Sequence, residues 1–82
     1  MKDQQEQPTG PLVKQALSHP ERFDMFDCIG RRDAGMDEGE LAGVLGLTRA
    51  KVKYHLTVLC NADLIEPSDL TPDRYVAVAA GT

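Results

Sequence analysis

The stretch "ELAGVLGLTRAKVKYHLTVL", Glu40 to Leu59, decides how the chain folds. It holds two amphipathic segments separated by Gly46 and Thr48. In the first, Leu41, Val44 and Leu45 fall on one side of a helix. Its start is well formed: Asp37 caps, Glu40 reaches back to complete a capping box, and Met36 with Leu41 makes a hydrophobic staple. Gly46 suits the left-handed position that ends a helix. Thr48 is a good N-cap for the second segment. There Val52, Leu56, Leu59 and Cys60 recur at helical spacing as one buried stripe, with His55 at its edge. Ala50, Tyr54, Thr57, Val58 and Asn61 lie opposite, flanked by Lys51 and Lys53. Two such helices joined by so tight a turn form a helix-turn-helix.

The flanking sequence fits around that core. Residues 1–8 are polar and uncapped, and a disordered tail is expected there, ahead of one domain over 9–82. "GPLVKQALSH" predicts a short helix, with Pro11 in its first turn and Leu12, Ala16 and Leu17 inward. "HPERFDMFDCIG" predicts a second, with Pro20 at N1, a stripe of Phe23, Met25, Phe26 and Ile29, and Gly30 as its stop. Arg22 is expected to support the fold by pairing with a carboxylate. "RRDAGM" reads as a connector. Beyond the core, Leu64 and Ile65 form a short strand closed by Pro67, "SDLTPD" turns, and "RYVAVA" returns as a strand. The expected fold class is therefore mainly α with a small β-hairpin. It is a winged helix-turn-helix of three to four helices and a two-stranded wing.

Charge distribution says more than net charge. The chain has 82 residues and a formal net charge of −4. From Leu41 to Ala62 there are Arg49, Lys51 and Lys53 and no acidic residue, so all 13 carboxylates lie elsewhere. A cationic helix on an acidic body suits a polyanionic partner. No apolar run approaches the roughly 20 residues of a membrane helix, and the N-terminus lacks a signal-peptide core. A soluble, cytoplasmic protein with no membrane partner is expected. Cys28 and Cys60 form no CxxC and have no histidine at ligand spacing, so they read as small buried apolar residues. No nucleophile motif or phosphate loop is present, and an enzyme, a cofactor and a metal site are not expected.

These residues resemble the ArsR/SmtB-type winged helix-turn-helix transcriptional regulators. "ALSHPERFDMFDCI" is similar to the family's opening, "ELAGVLGLTRAKVKYHLTVLCNADLIE" to its core, and "RYVAV" to its second wing strand. The most specific part is His55-Leu56 with Val52 before and Leu59 after. The family's serine ahead of this pair is Lys53 here, the glycine after the recognition helix is Asp63, and the scaffold helix, "DEGELAG", lacks the metal-binding cysteines.

The resemblance implies a sequence-specific DNA-binding regulator with the helix around residues 48–61 in the major groove of double-stranded DNA. Arg49 and Lys51 would reach guanine edges or phosphates, with Ala50 between them, Lys53 and Tyr54 farther along that face and Thr57 as a phosphate donor. Thr48 and the first N–H groups would hold a phosphate. Arg31 and Arg32 read equally as solvated loop or as backbone contacts. His55 reads as a packed, hydrogen-bonded residue. A homodimer through the first helix is one option for tight binding. The alternative function is a winged-helix protein–protein interaction module without DNA binding, because Asp63, Glu66, Asp69 and Asp73 make the wing acidic.

Overall fold

A computed structural model of the chain describes residues 11–78. Four helices and three short strands follow in the order α1 (Pro11–Leu17), α2 (Pro20–Gly30), β1 (Met36–Asp37), α3 (Glu38–Leu45), α4 (Arg49–Asn61), β2 (Ile65–Pro67) and β3 (Arg74–Ala77). This is a winged helix-turn-helix. The expected tail over 1–8 lies outside the described residues.

Local chemistry sets the two central helices. The Asp37 side chain accepts from the Glu40 N–H at 2.8 Å, and Glu40 accepts from the Asp37 N–H at 3.0 Å, closing the capping box. Such a cap contributes about 1 kcal/mol. Met36 and Leu41, the staple pair, are both fully buried. Gly46 ends α3 at φ 67°, and the Leu47 N–H returns to the Ala42 carbonyl at 3.1 Å. Thr48 then accepts from the Lys51 N–H at 3.2 Å and starts α4. At the far end of α4, Asp63 takes φ 61°, a left-handed turn, at a cost of about 1 kcal/mol without glycine.

The core draws on every element but β3, whose half-buried Tyr75 packs against it. Met25 and Ile29 come from α2, Met36 from β1, Leu41 from α3, Val52, Leu56 and Leu59 from α4, and Ile65 from β2, with Ala16 beneath α1. Three expected side-chain positions are corrected. Phe23 is 48% exposed and Val44 56% exposed, so neither belongs to the core stripe. Val58 is not on the open face of α4; it is half-buried and packs on the core beside α1. The buried side of α2 is Arg22, Met25, Phe26 and Ile29, about 100° of helix rotation away from Phe23. Gly30 is the last helical residue of α2, and the cap is Arg31 in a right-handed conformation.

The sheet holds one strand more than the expected hairpin. Its order is β1-β3-β2, antiparallel throughout. β2 and β3 pair Ile65 with Ala77 and Pro67 with Tyr75, while Met36 of β1 pairs with Tyr75 from the other side. Gly35 makes this possible. Its φ is 77°, and a Cβ there would stand 2.3 Å from the Tyr75 carbonyl oxygen. Arg74 clamps the same corner. Its guanidinium donates to the Ala34 carbonyl at 3.1 Å, the Gly35 carbonyl at 2.9 Å and the Glu40 carboxylate at 2.9 Å.

Candidate nucleic-acid interface

Helical geometry sorts the side chains of α4, since each residue turns about 100° from the last. Val52, His55, Leu56 and Leu59 face inward. Ala50, Tyr54, Thr57 and Asn61 form the outermost ridge, all exposed, with Tyr54 at 61%. Lys51 and Lys53 stand on opposite flanks of that ridge. Lys51 lies in a groove with His19, Glu21 and Tyr54, on the α2 side. Lys53 lies in a groove with Glu38, Thr57 and Tyr75, on the wing side. Among the described residues, neither lysine is paired with a carboxylate.

The remaining sequence-predicted residues are placed less simply. Thr48 is spent on the N-cap, with its backbone exposed. Thr57 donates its hydroxyl to the Lys53 carbonyl at 3.0 Å, and the oxygen keeps its accepting capacity. Arg49 is exposed but held by Glu38 at 3.2 Å. Arg31 pairs with Asp27 at 3.0 Å, one turn back on α2. Arg32 is exposed. Arg31 and Arg32 sit at the opposite end of α2 from Glu21, about 15 Å along the helix axis. The structure therefore brings Ala50, Lys51, Lys53, Tyr54 and Thr57 together and leaves Arg31 and Arg32 apart from them.

Behind the ridge is a buried polar chain that sequence reading missed. Arg22 is buried, and among the described residues no carboxylate holds its guanidinium. It instead donates Nε–H to the Ala16 carbonyl at 2.7 Å, and Nη2 to the Gln15 carbonyl at 3.4 Å. Both carbonyls lie in the last turn of α1, where Gln15 also accepts from the Ser18 hydroxyl at 2.9 Å. Its Nη1 approaches Nδ1 of His55 at 3.4 Å. Arginine only donates, so Nδ1 accepts and Nε2 keeps the proton. Nε2 lies 3.3 Å from the Glu21 carboxylate. His55 is 3% exposed, and this burial pushes its pKa below the usual histidine value, against the opposing pull of Glu21. The same hydrogen bond lowers the pKa of Glu21. His55 is thus the packed, hydrogen-bonded residue expected at the edge of the stripe, and it is as buried as the stripe it borders. Arg22 also lies 5.9 Å below the Tyr54 ring and supports it by a cation–π contact.

Two carboxylates absent from the cationic stretch of sequence are brought to it by the fold. Glu38 of α3 meets Arg49, and Glu21 of α2 meets His55. The wing adds no exposed cation, because Arg74 points into the α3 cap. Asp63, Glu66, Asp69 and Asp73 are all exposed, and Leu70 at the wing tip is 94% exposed. Cys28 and Cys60 are unbonded and half-buried, and burial raises the Cys60 pKa. No helix of the described residues is long and apolar enough to cross a membrane.

No curated protein and no solved structure matches the chain. A helix-turn-helix domain family matches residues 17–68, more than half of the chain, from the end of α1 through β2. With α3, the Gly46 turn and α4 arranged as described, the chain belongs to this helix-turn-helix domain family.

Proposed function

We propose that the protein is a sequence-specific DNA-binding transcriptional regulator of the ArsR/SmtB-like winged type, which seats α4 in the major groove. The observation that carries this reading is the exposed ridge of α4. Small and neutral polar side chains form its crest, and one lysine lies on each flank. A helix entering the major groove needs that arrangement, with cations toward the two phosphate backbones and hydrogen-bonding groups toward the base edges. In this reading Lys51 and Lys53 bind phosphates on either side. Ala50 allows close approach, and Tyr54, Thr57 and Asn61 meet the bases. The N–H groups of the first turn, at Thr48, hold a further phosphate. Arg31 and Arg32 reach the backbone only if the duplex extends past α2. Two copies on half-sites one helical turn apart give tight binding where one domain gives weak binding.

Arg49 enters this account through Glu38. While paired it contributes little net charge to the face, and the Glu38 carboxylate repels phosphates nearby. Glu38→Gln removes the competitor and is expected to tighten binding to a generic duplex severalfold, measured by fluorescence anisotropy over a range of salt. Arg49 is exposed and Glu38 half-buried, and an ion pair so open to solvent contributes about 1 kcal/mol or less to the fold. Binding that is independent of salt, or unaffected by Glu38→Gln, would contradict the placement of Arg49 and Glu38 at the interface.

The acidic wing favours a second reading, a protein–protein interaction module whose wing meets a basic partner. The two readings separate on one variant. Asp69→Asn/Asp73→Asn removes charge from a wing loop whose turn is held by backbone bonds between Ser68, Thr71 and Arg74. For a DNA-binding domain, duplex affinity is unchanged or rises. For the interaction module, the native wing is required and no duplex binding exists to change.

A further inference from the structure

Both histidines of the chain meet at one point, with a carboxylate between them. His19 is the N-cap residue of α2, yet its side chain makes no capping bond. Its ring lies 4.9 Å from the His55 ring, centroid to centroid. Glu21, in the first turn of α2, places Oε1 3.3 Å from Nε2 of His55. One ligand atom from each of the three residues lies within 4.8 Å of the others. His55 is buried and His19 exposed, so the cluster has a fixed floor and an open mouth.

We infer that His19, Glu21 and His55 form a binding site for a divalent transition-metal ion, of which zinc is the best match. Two imidazoles and one carboxylate are a donor set that zinc accepts, leaving a fourth position to water. Zinc bonds of about 2.0–2.1 Å in a tetrahedron put neighbouring ligand atoms about 3.3 Å apart. Glu21 and His55 already stand at that separation. His19 closes the remaining gap by turning an exposed side chain that no hydrogen bond holds as a cap.

The site has two opponents, and both are on the protein. The α2 N-terminus carries the positive end of a helix dipole. Arg22 also directs a cation at the far nitrogen of His55. Metal on Nε2 requires the proton to sit on Nδ1, so the 3.4 Å approach of Arg22 Nη1 must break. That contact is no shorter than the 3.4 Å bond to Gln15; the 2.7 Å bond from Nε to Ala16 remains and anchors Arg22 while Nη1 moves off His55. The Nε2 proton leaves the Glu21 hydrogen bond, the carboxylate turns to the metal, and Nδ1 is protonated from solvent. Binding is therefore weaker than at a dedicated structural zinc site, in the micromolar range. A bound ion would tie the start of α2 to the exposed side of α4, beside Lys51 and Tyr54.

The test uses the full chain alone, without DNA, so its outcome is separate from that of the DNA-binding reading. Zinc is titrated by calorimetry at neutral pH, and the imidazole nitrogens are followed by NMR. One ion is expected to bind, with His55 changing from the Nε2–H to the Nδ1–H tautomer. His19→Ala leaves the fold intact and weakens binding at least about tenfold, since losing even a supporting residue of a metal site costs that much. Cys28→Ala/Cys60→Ala binds as the unaltered chain does. No binding at millimolar zinc, an unchanged His55 tautomer, undiminished binding by His19→Ala, or loss of binding with the cysteines would each overturn the site.

Discussion

Replacing Gly35 by alanine lowers the melting temperature by about 15 °C or more, the largest loss expected from any glycine substitution in the described residues. Two costs add. Alanine at φ 77° pays the left-handed penalty of about 1–2 kcal/mol. Its Cβ would also meet the Tyr75 carbonyl oxygen at 2.3 Å and Val76 Cγ1 at 2.8 Å. The backbone oxygen cannot swing away, so β1 must separate from β3. Moving β1 also disturbs the Ala34 and Gly35 carbonyls that hold Arg74, and charge-assisted bonds of this kind contribute about 1.5–3 kcal/mol each. A total near 3 kcal/mol is a large share of the roughly 4–12 kcal/mol available to a domain of this length. Gly46→Ala is the internal comparison. Its φ is 67°, but nothing lies within 4 Å of the added Cβ, so only the conformational cost of about 1 kcal/mol applies. Thermal unfolding followed by circular dichroism ranks the two. Equal losses would show that the close approach of Gly35 to β3 contributes nothing to stability.

The double substitution Lys51→Ala/Lys53→Ala is expected to weaken duplex binding roughly fifty- to a hundredfold near 0.1 M salt. Each phosphate neutralised contributes about 0.9 to the slope of log affinity against log salt, so two lysines remove about 1.8. Both side chains are exposed, and exposed substitutions away from caps and ion pairs stay within about 0.5 kcal/mol of neutral. A loss of binding therefore reads on the interface, not on the fold. The two single variants carry further information. Because Lys51 and Lys53 flank the ridge on opposite sides, each should remove about half of the slope, and their effects should add. If one accounts for the whole change, α4 lies across a backbone and not in the groove.

The helix-turn-helix was legible because its signals are local. Asp37 with Glu40, Gly46 and Thr48 each act within one helical turn, and the structure shows every one as a cap. In the stripe, Val52, Leu56 and Leu59 are periodic and buried, while Cys60 at its margin is half-buried. Non-local features were not legible. β1 is two residues long and exists through pairing with Arg74 and Tyr75, far along the chain, so no periodicity announces it. An apolar residue such as Phe23 is expected to face inward, whereas Arg22 takes that position. An arginine is rarely this buried; here it is satisfied by the last-turn carbonyls of α1 and by His55, which only the packing of α1 and α4 against α2 reveals. Charge showed the same limit. The absence of carboxylates near α4 is a property of the chain, and the fold brings Glu38 and Glu21 to its sides. For the candidate interface, sequence correctly grouped Ala50, Lys51, Lys53, Tyr54 and Thr57 on one helix. The separation of Arg31 and Arg32 from them depends on how α2 crosses that helix. The meeting of His19 with His55 depends on the same crossing, and no ligand spacing in the sequence signals it.

The central claim is that the exposed ridge of α4 faces DNA. Its most direct measurement is a titration of isotope-labelled protein with a generic duplex, followed by amide shifts at low and at moderate salt. The account predicts shifts concentrated from Thr48 to Asn61, fading as salt rises, with the wing loop from Ser68 to Asp73 little affected. A folded protein whose amide spectrum does not move at low salt, or moves only at the wing, would contradict it.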